Sequence, residues 1–202
     1  MNKIYKVDLL TQYASGKRDF NSVDISEIDL FEAKLQGINL TDSNIQKTYL
    51  PYANLSQAQL QRSQLQAVEL SNAQLYQADL SYADLSNANL CKATLRRANL
   101  QGANLTGANL QGADLGNANL SNANLSNADL SRANLGNANL TNAQVSGCNL
   151  FRSQNAELSN AYSDCLTIYP NGHRLDNCEL ETLDLLRESR TMPPKSPHSG
   201  GL

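Results

Sequence analysis

The strongest constraint on this chain is a period of five. An apolar residue stands at every fifth position from Phe20 through Ile25, Leu30 and Leu35 to Leu150, 27 positions without an insertion. Two residues before each lies a second restricted position, which is Ala at 15 consecutive steps from Ala73 to Ala143. Between the two stands mostly Asn or Asp, as in Ala103-Asn104-Leu105 and Ala113-Asp114-Leu115. Five fits neither the 3.6 residues of a helical turn nor the two of a flat strand. It fits a chain that turns a corner every five residues, with two positions of each repeat inward and three facing water. If four corners close each coil, a coil holds 20 residues, and coils stacked about 4.8 Å apart would give a rod roughly 31 Å tall.

In this reading Leu fills the axis and Ala sits where the walls converge. Asn and Asp tolerate left-handed backbone and bond neighbouring amides, which predicts them at corners. Arg18, Val23, Ile28 and Ile38 occupy early Ala positions, so the first coils are expected to be wider or distorted. Ser43, Thr48, Ser63 and Val68 also depart from Ala but remain small. A strict Leu/Ala ladder can bury a core, which a disordered low-complexity chain cannot do. Each buried Leu contributes about 2 kcal/mol before entropy is subtracted.

These residues resemble the pentapeptide repeat family, whose signature is Ala-(Asp/Asn)-Leu-X-X. The resemblance covers about two thirds of the chain. It implies an all-β solenoid, a right-handed quadrilateral β-helix of about seven coils with short α-helical caps. The square section and the hand come from the resemblance; the period alone gives a five-residue solenoid. The stretch from Tyr13 to Phe20 looks like the lead-in of cyanobacterial members, one of which regulates heterocyst differentiation.

The ends need covers, because a stacked solenoid exposes its core there. Leu9, Leu10, Tyr13 and Ala14 fall on one helical face, and Gly16 is a stop signal, which predicts a capping helix over 4–15. After Leu150 the register slips by eight residues to Leu158. Tyr169-Pro170-Asn171-Gly172 reads as a turn. Leu180, Leu183 and Leu186 predict a helix near 178–189, with a further partial coil through Leu175, Leu180 and Leu185 as the competing reading. The tail from Thr191 is rich in Pro, Ser and Gly, hence expected to be disordered. The expected organisation is therefore a cap and lead-in over 1–17, the β-helix over 18–165, a turn and helix over 166–190, and a tail over 191–202.

Composition narrows function by exclusion. The chain offers no apolar stretch long enough to span a membrane, and 16 Lys and Arg against 19 Asp and Glu argue against a basic nucleic-acid binder. The first residues lack the apolar region of a secretory signal, so the protein is expected in the cytoplasm with its thiols reduced. Cys91, Cys148, Cys165 and Cys178 show no metal-finger spacing. Cys148 and Cys178 fall on Ala-type positions, where Cys packs as a small hydrophobe; Cys91 faces outward and is the more reactive candidate. A filled solenoid has no axial pocket, and His173 and His198 are the only histidines. No triad, metal cluster or phosphate loop can be assembled from them. Gly102, Gly107 and Gly112 are corner residues. The expectation is a protein that is not an enzyme and takes no cofactor or metal.

What remains is surface. Folded on 20 residues, Phe31 stands above Pro51, and Glu32, Tyr52, Asn72, Lys92, Gly112, Arg132 and Arg152 form one column, with Tyr49 adjoining Tyr52. Charge drifts along the axis: six acids and three bases over 18–50, three acids and one base over 51–90, two acids and five bases over 91–152. Aromatic residues and Arg are favoured at binding hot spots. Phe31, Tyr49, Tyr52, Lys92, Arg132 and Arg152 are thus the candidate partner site. Three readings follow. The first is a rigid module displaying this face to a protein partner, whose sharper version is a regulator like the heterocyst-differentiation member. The second, implied by the resemblance, is a DNA-mimic modulator of DNA gyrase or topoisomerase, a type that tends to dimerise through a C-terminal helix; the weak negative charge of the repeats speaks against it. The third, an ice-binding array, lacks the ranked Thr it would need. The expected partner is a protein, with no direct nucleic acid or membrane contact, and the chain a monomer or a dimer through its C-terminal end.

Overall fold

The structure is a computed structural model and describes residues 1–174. Its core is a stack of parallel bridges between residues 20 apart, from Asp19↔Asn39 to Asn134↔Gln154. Five residues make one wall and four walls one coil. Phe20, Ile25 and the Leu at each fifth position are at most 4 % exposed throughout the stack, and the paired Ala positions are mostly closed to solvent as well.

A repeat in the body of the stack with Asn or Asp before its axial residue disposes of all five of its backbone N–H groups, which explains that residue choice. In the repeat around Leu40, the Asn39 N–H donates to Arg18 O in the coil before (2.8 Å), while those of Leu40 and Asp42 donate to Gln59 O and Gln61 O in the coil after (2.8 and 3.0 Å). The Ser43 N–H closes the corner on Leu40 O (3.2 Å). The fifth, from Thr41, finds the side-chain oxygen of Asn39 at 3.0 Å. From Leu30 to Leu150 the corner bond recurs at every repeat. The side-chain bond recurs wherever Asn or Asp precedes the axial residue, as at Asp79, Asn104 and Asn134.

The left-handed residue is the second after the axial one, not the Asn or Asp. Every such position from Ser22 to Arg152 has φ between 53° and 68°. Gly102, Gly107 and Gly112 are corner residues as the spacing predicts. The Asn and Asp side chains lie in the walls and cap the turn that follows.

The first coils keep the common register. The Phe20 N–H reaches Asn39 O at 2.8 Å, matching 2.7 Å for Leu100 to Asn119. Val23 and Ile38 are buried in Ala positions, Ile28 only partly. Arg18 turns outward instead, its guanidinium 3.8 Å from the centre of the Tyr13 ring. Buried Ser43 and Thr48 give their hydroxyls to Phe20 O and Ile25 O.

Two elements precede the stack. Strand β1 (Asn2–Lys3) pairs in parallel with β2 (Val23–Asp24) and extends the bridge stack by one rung. Between them helix α1 (Lys6–Ala14) sends Leu9 into the core, with Leu10 and Tyr13 against it, while Ala14 is exposed. At the far end the offset shortens, with Gln144↔Tyr162 and Asn149↔Ile168. The turn at Tyr169 closes on the Gly172 N–H at 2.8 Å. The sequence readings on Leu175, Cys178, the 178–189 segment, His198 and the tail lie outside the described residues.

Candidate functional site

The edge formed by residues 31 and 32 and their 20-residue repeats carries a cluster that the coil register creates. The Phe31 ring stacks on Tyr49 (centroids 6.3 Å apart, 17° between planes) and meets Tyr52 edge-on (5.9 Å, 72°). Phe31 is the hub, where the sequence suggested Tyr49 against Tyr52. All three stay exposed, at 45, 47 and 54 %. Tyr13 closes one side of an adjoining open cleft of about 530 Å³, lined also by Glu32, Lys34, Gln36 and Asn54; its hydroxyl donates to Gln36 O at 2.7 Å.

Lys92, Arg132 and Arg152 follow along the same edge, several coils away from the aromatic cluster. Among the described residues none of the three, nor Glu32, has an ion-pair partner. Two other corners carry ion pairs, the two-pronged Arg62–Asp42 at 2.8 Å and Lys47–Glu27 at 3.8 Å. Arg152 rests 5.0 Å from the centre of the Phe151 ring. The sequence reading missed Phe151; the same 20-residue folding that aligned Phe31 with Pro51 places it on that column. Cys91, half-buried and free, sits at the middle of it.

The other reactive side chains are spoken for. Burial, with help from the nearby Asp129 charge, pushes the Cys148 thiol up to about 12. Cys165 is disulfide-bonded, against the expectation of four reduced thiols. Among the described residues no three His, Cys, Asp or Glu side chains are grouped to hold a metal, and no helix is long and apolar enough to cross a membrane.

A filled solenoid of stacked five-residue walls is the architecture of a repeat protein. The family model for pentapeptide repeats matches overlapping segments from 24–62 to 118–153, and the chain belongs to the pentapeptide repeat family. Members of this family form right-handed quadrilateral β-helices. Among solved structures the chain is similar to HetL, a pentapeptide repeat protein involved in heterocyst differentiation regulation from the cyanobacterium Nostoc sp. strain PCC 7120. The two are 28 % identical over 85 % of this chain and 99 % of that one, with a TM-score of 0.34. A second pentapeptide repeat protein from Nostoc is 27 % identical over 81 and 98 % of the two chains, at a TM-score of 0.32. QnrB1, a plasmid-mediated fluoroquinolone resistance protein, is 19 % identical over 72 and 79 %, at a TM-score of 0.44. No curated protein matches the sequence.

Proposed function

We propose that this chain is a non-catalytic interaction module that offers the edge bearing Phe31, Tyr49, Tyr52, Lys92, Arg132 and Arg152 to a protein partner. One observation carries the reading: three packed, exposed aromatic rings share one edge with Lys92, Arg132 and Arg152, none of which has an ion-pair partner among the described residues. An unpaired Arg keeps its full capacity for a carboxylate or an aromatic face. The lead-in from Tyr13 to Phe20 extends the proposal to a regulatory partner, on the resemblance of that segment alone. The positive charge of the C-terminal third disfavours mimicry of DNA, which needs a dense negative field.

Affinity capture from a cyanobacterial lysate tests this. A protein retained by the wild type and lost from a Tyr52→Ala, Arg132→Ala double variant supports the edge. Equal capture by both variants removes the edge from the proposal, and capture of gyrase subunits would favour the DNA-mimic reading.

A further inference from the structure

We infer that the same edge pairs with itself, so that a second copy of this chain, running antiparallel, is an occupant of the site. The inference deepens the proposed reading and rests on it for the choice of edge. The observation is a complementarity of the outer rungs of the column. In a side-by-side antiparallel pair, a two-fold axis perpendicular to both rods sets each column opposite its own reverse. The column that starts at Glu32 spans six coil spacings, roughly 29 Å. Reversed about Lys92, it sets Glu32 against Arg152 and Tyr52 against Arg132. Reversed about Cys91, the neighbouring column sets Phe31 against Phe151.

Every unpaired charge at the column ends thus meets an opposite charge or an aromatic face, and each contact occurs twice. Phe31 and Phe151 are both exposed, at 45 and 39 %, and Arg152 already lies over an aromatic ring within its own copy. The like charges at the centre diverge. A Cβ on Gly112 would lie 3.7 Å from Lys92 Cγ, so the Lys92 stem leans toward its own C-terminal coils. The partner's stem leans the opposite way. The corners of Asp42 and Glu27 do not offer such charges, because Asp42 is held by Arg62 and Glu27 by Lys47. The edge is long and narrow, which makes the association weak, reversible and sensitive to salt.

The test uses the full chain, with Glu32→Arg and Arg152→Glu as the variants. Both new residue types already occupy equivalent left-handed corners, at Arg62, Arg132 and Glu27, so folding is spared. Sedimentation velocity over a concentration series at low and high salt reads association. A short bis-maleimide that bridges two Cys91 thiols as thioethers reads geometry, with Cys91→Ser as its control. We expect a salt-weakened dimer that yields a Cys91–Cys91 bridge. Each single reversal should weaken it by roughly tenfold or more, and an equimolar mixture of the two should restore it, because each copy then meets its complement. A monomer at every concentration in low salt would overturn the inference. So would a dimer indifferent to both reversals, including one joined through its C-terminal end. Failure here leaves the lysate capture result standing, and failure of that capture leaves the dimer standing.

Discussion

The Tyr82 ring occupies the space that a side chain at residue 102 would need. A Cβ built on Gly102 lies 2.6 Å from Tyr82 Cε1 and 2.7 Å from Cδ1. The Tyr82 side chain, itself at a left-handed corner, leans onto the same corner of the next coil, where the glycine leaves it room. Gly37 has a comparable φ of 68° and nothing within 4 Å of its hypothetical Cβ. Gly37→Ala should therefore cost only the left-handed penalty of about 1 kcal/mol, whereas Gly102→Ala should cost more. Removing the ring with Tyr82→Ala should abolish the difference. Chemical denaturation of Gly37→Ala, Gly102→Ala, Tyr82→Ala and the Tyr82→Ala, Gly102→Ala double variant checks this; equal costs at the two glycines would disprove the contact.

The wall asparagines form directional ladders. Asn139, Asn119 and Asn99 each donate through Nδ2 to the side-chain oxygen one coil earlier, and the series ends on Asp79, which only accepts. Asn119 also accepts the Ser121 N–H at 3.2 Å. Asn119→Asp keeps the accepted bonds and loses the donated one, a cost of about 1 kcal/mol; Asn119→Ala loses all three and should cost about 2 kcal/mol. Urea unfolding would reveal the order. An Asp variant less stable than the Ala variant would mean that like-charge or packing effects dominate the ladder.

Acid should loosen the last coil. Asp164 Oδ1 accepts from the Gly147, Leu166 and Thr167 backbone N–H groups and from the Thr167 hydroxyl, at 2.9 to 3.1 Å. Burial pushes its pKa up, but these bonds outweigh burial and hold it below the usual carboxylate range. Asp84 behaves likewise, with burial opposed by bonds from Ser86, Gln66 and Asn104. A carboxylate depressed in the folded state stabilises it above the unfolded value of about 3.9, and that contribution is lost as pH falls through the folded value. Asp164→Ala should therefore weaken the last coil at neutral pH, with the gap from wild type closing below about pH 4. Hydrogen exchange of the segment from Gln144 to Ile168 measures it; a gap independent of pH would remove the charge from the explanation.

Thiol reactivity should separate by position. Cys91 should react with a small maleimide in the native protein at mildly alkaline pH, while Cys148, with its pKa about 12 and its side chain enclosed, should remain unmodified until the chain unfolds. Peptide mass spectrometry resolves the two sites. Native labelling of Cys148 would indicate that the coils around it open readily.

Ser153 occupies an Ala position at the end of the stack, and its buried hydroxyl has no hydrogen-bond partner among the described residues. Ser153→Ala should therefore stabilise the protein by about 1 kcal/mol. A loss of stability in thermal denaturation would show that the hydroxyl has a partner after all.

Much of this was legible in the primary structure because the repeat is strict. Leu40 and Ala103 point inward as their spacing requires, and 20-residue folding alone brings Phe31 close to Tyr49 and Tyr52. Strand β1 was not legible: Asn2 and Lys3 carry no repeat signature, and their pairing with Val23 and Asp24 depends on α1 folding back across the end. The role of Asn39 was half legible. Its affinity for nearby amides was clear, but the backbone twist belongs to Asp42, a position where Ser, Lys, Arg and Tyr also appear elsewhere. Arg18 was misread because its place in the period suggested burial, whereas the Tyr13 ring offers its guanidinium a better surface outside.

A bridge offset of 20 residues makes the sequence a record of angle as well as height. Inserting a whole coil would lengthen the rod and leave every edge in phase. Inserting one repeat of five would swing everything beyond it through a quarter turn, carrying Arg132 and Arg152 onto a different corner from Phe31 and Tyr52. The core, which repeats every five residues, would not register the change; the surface would. Drift in the length of such a chain is therefore tested first at its outer edges, well before its stability is touched.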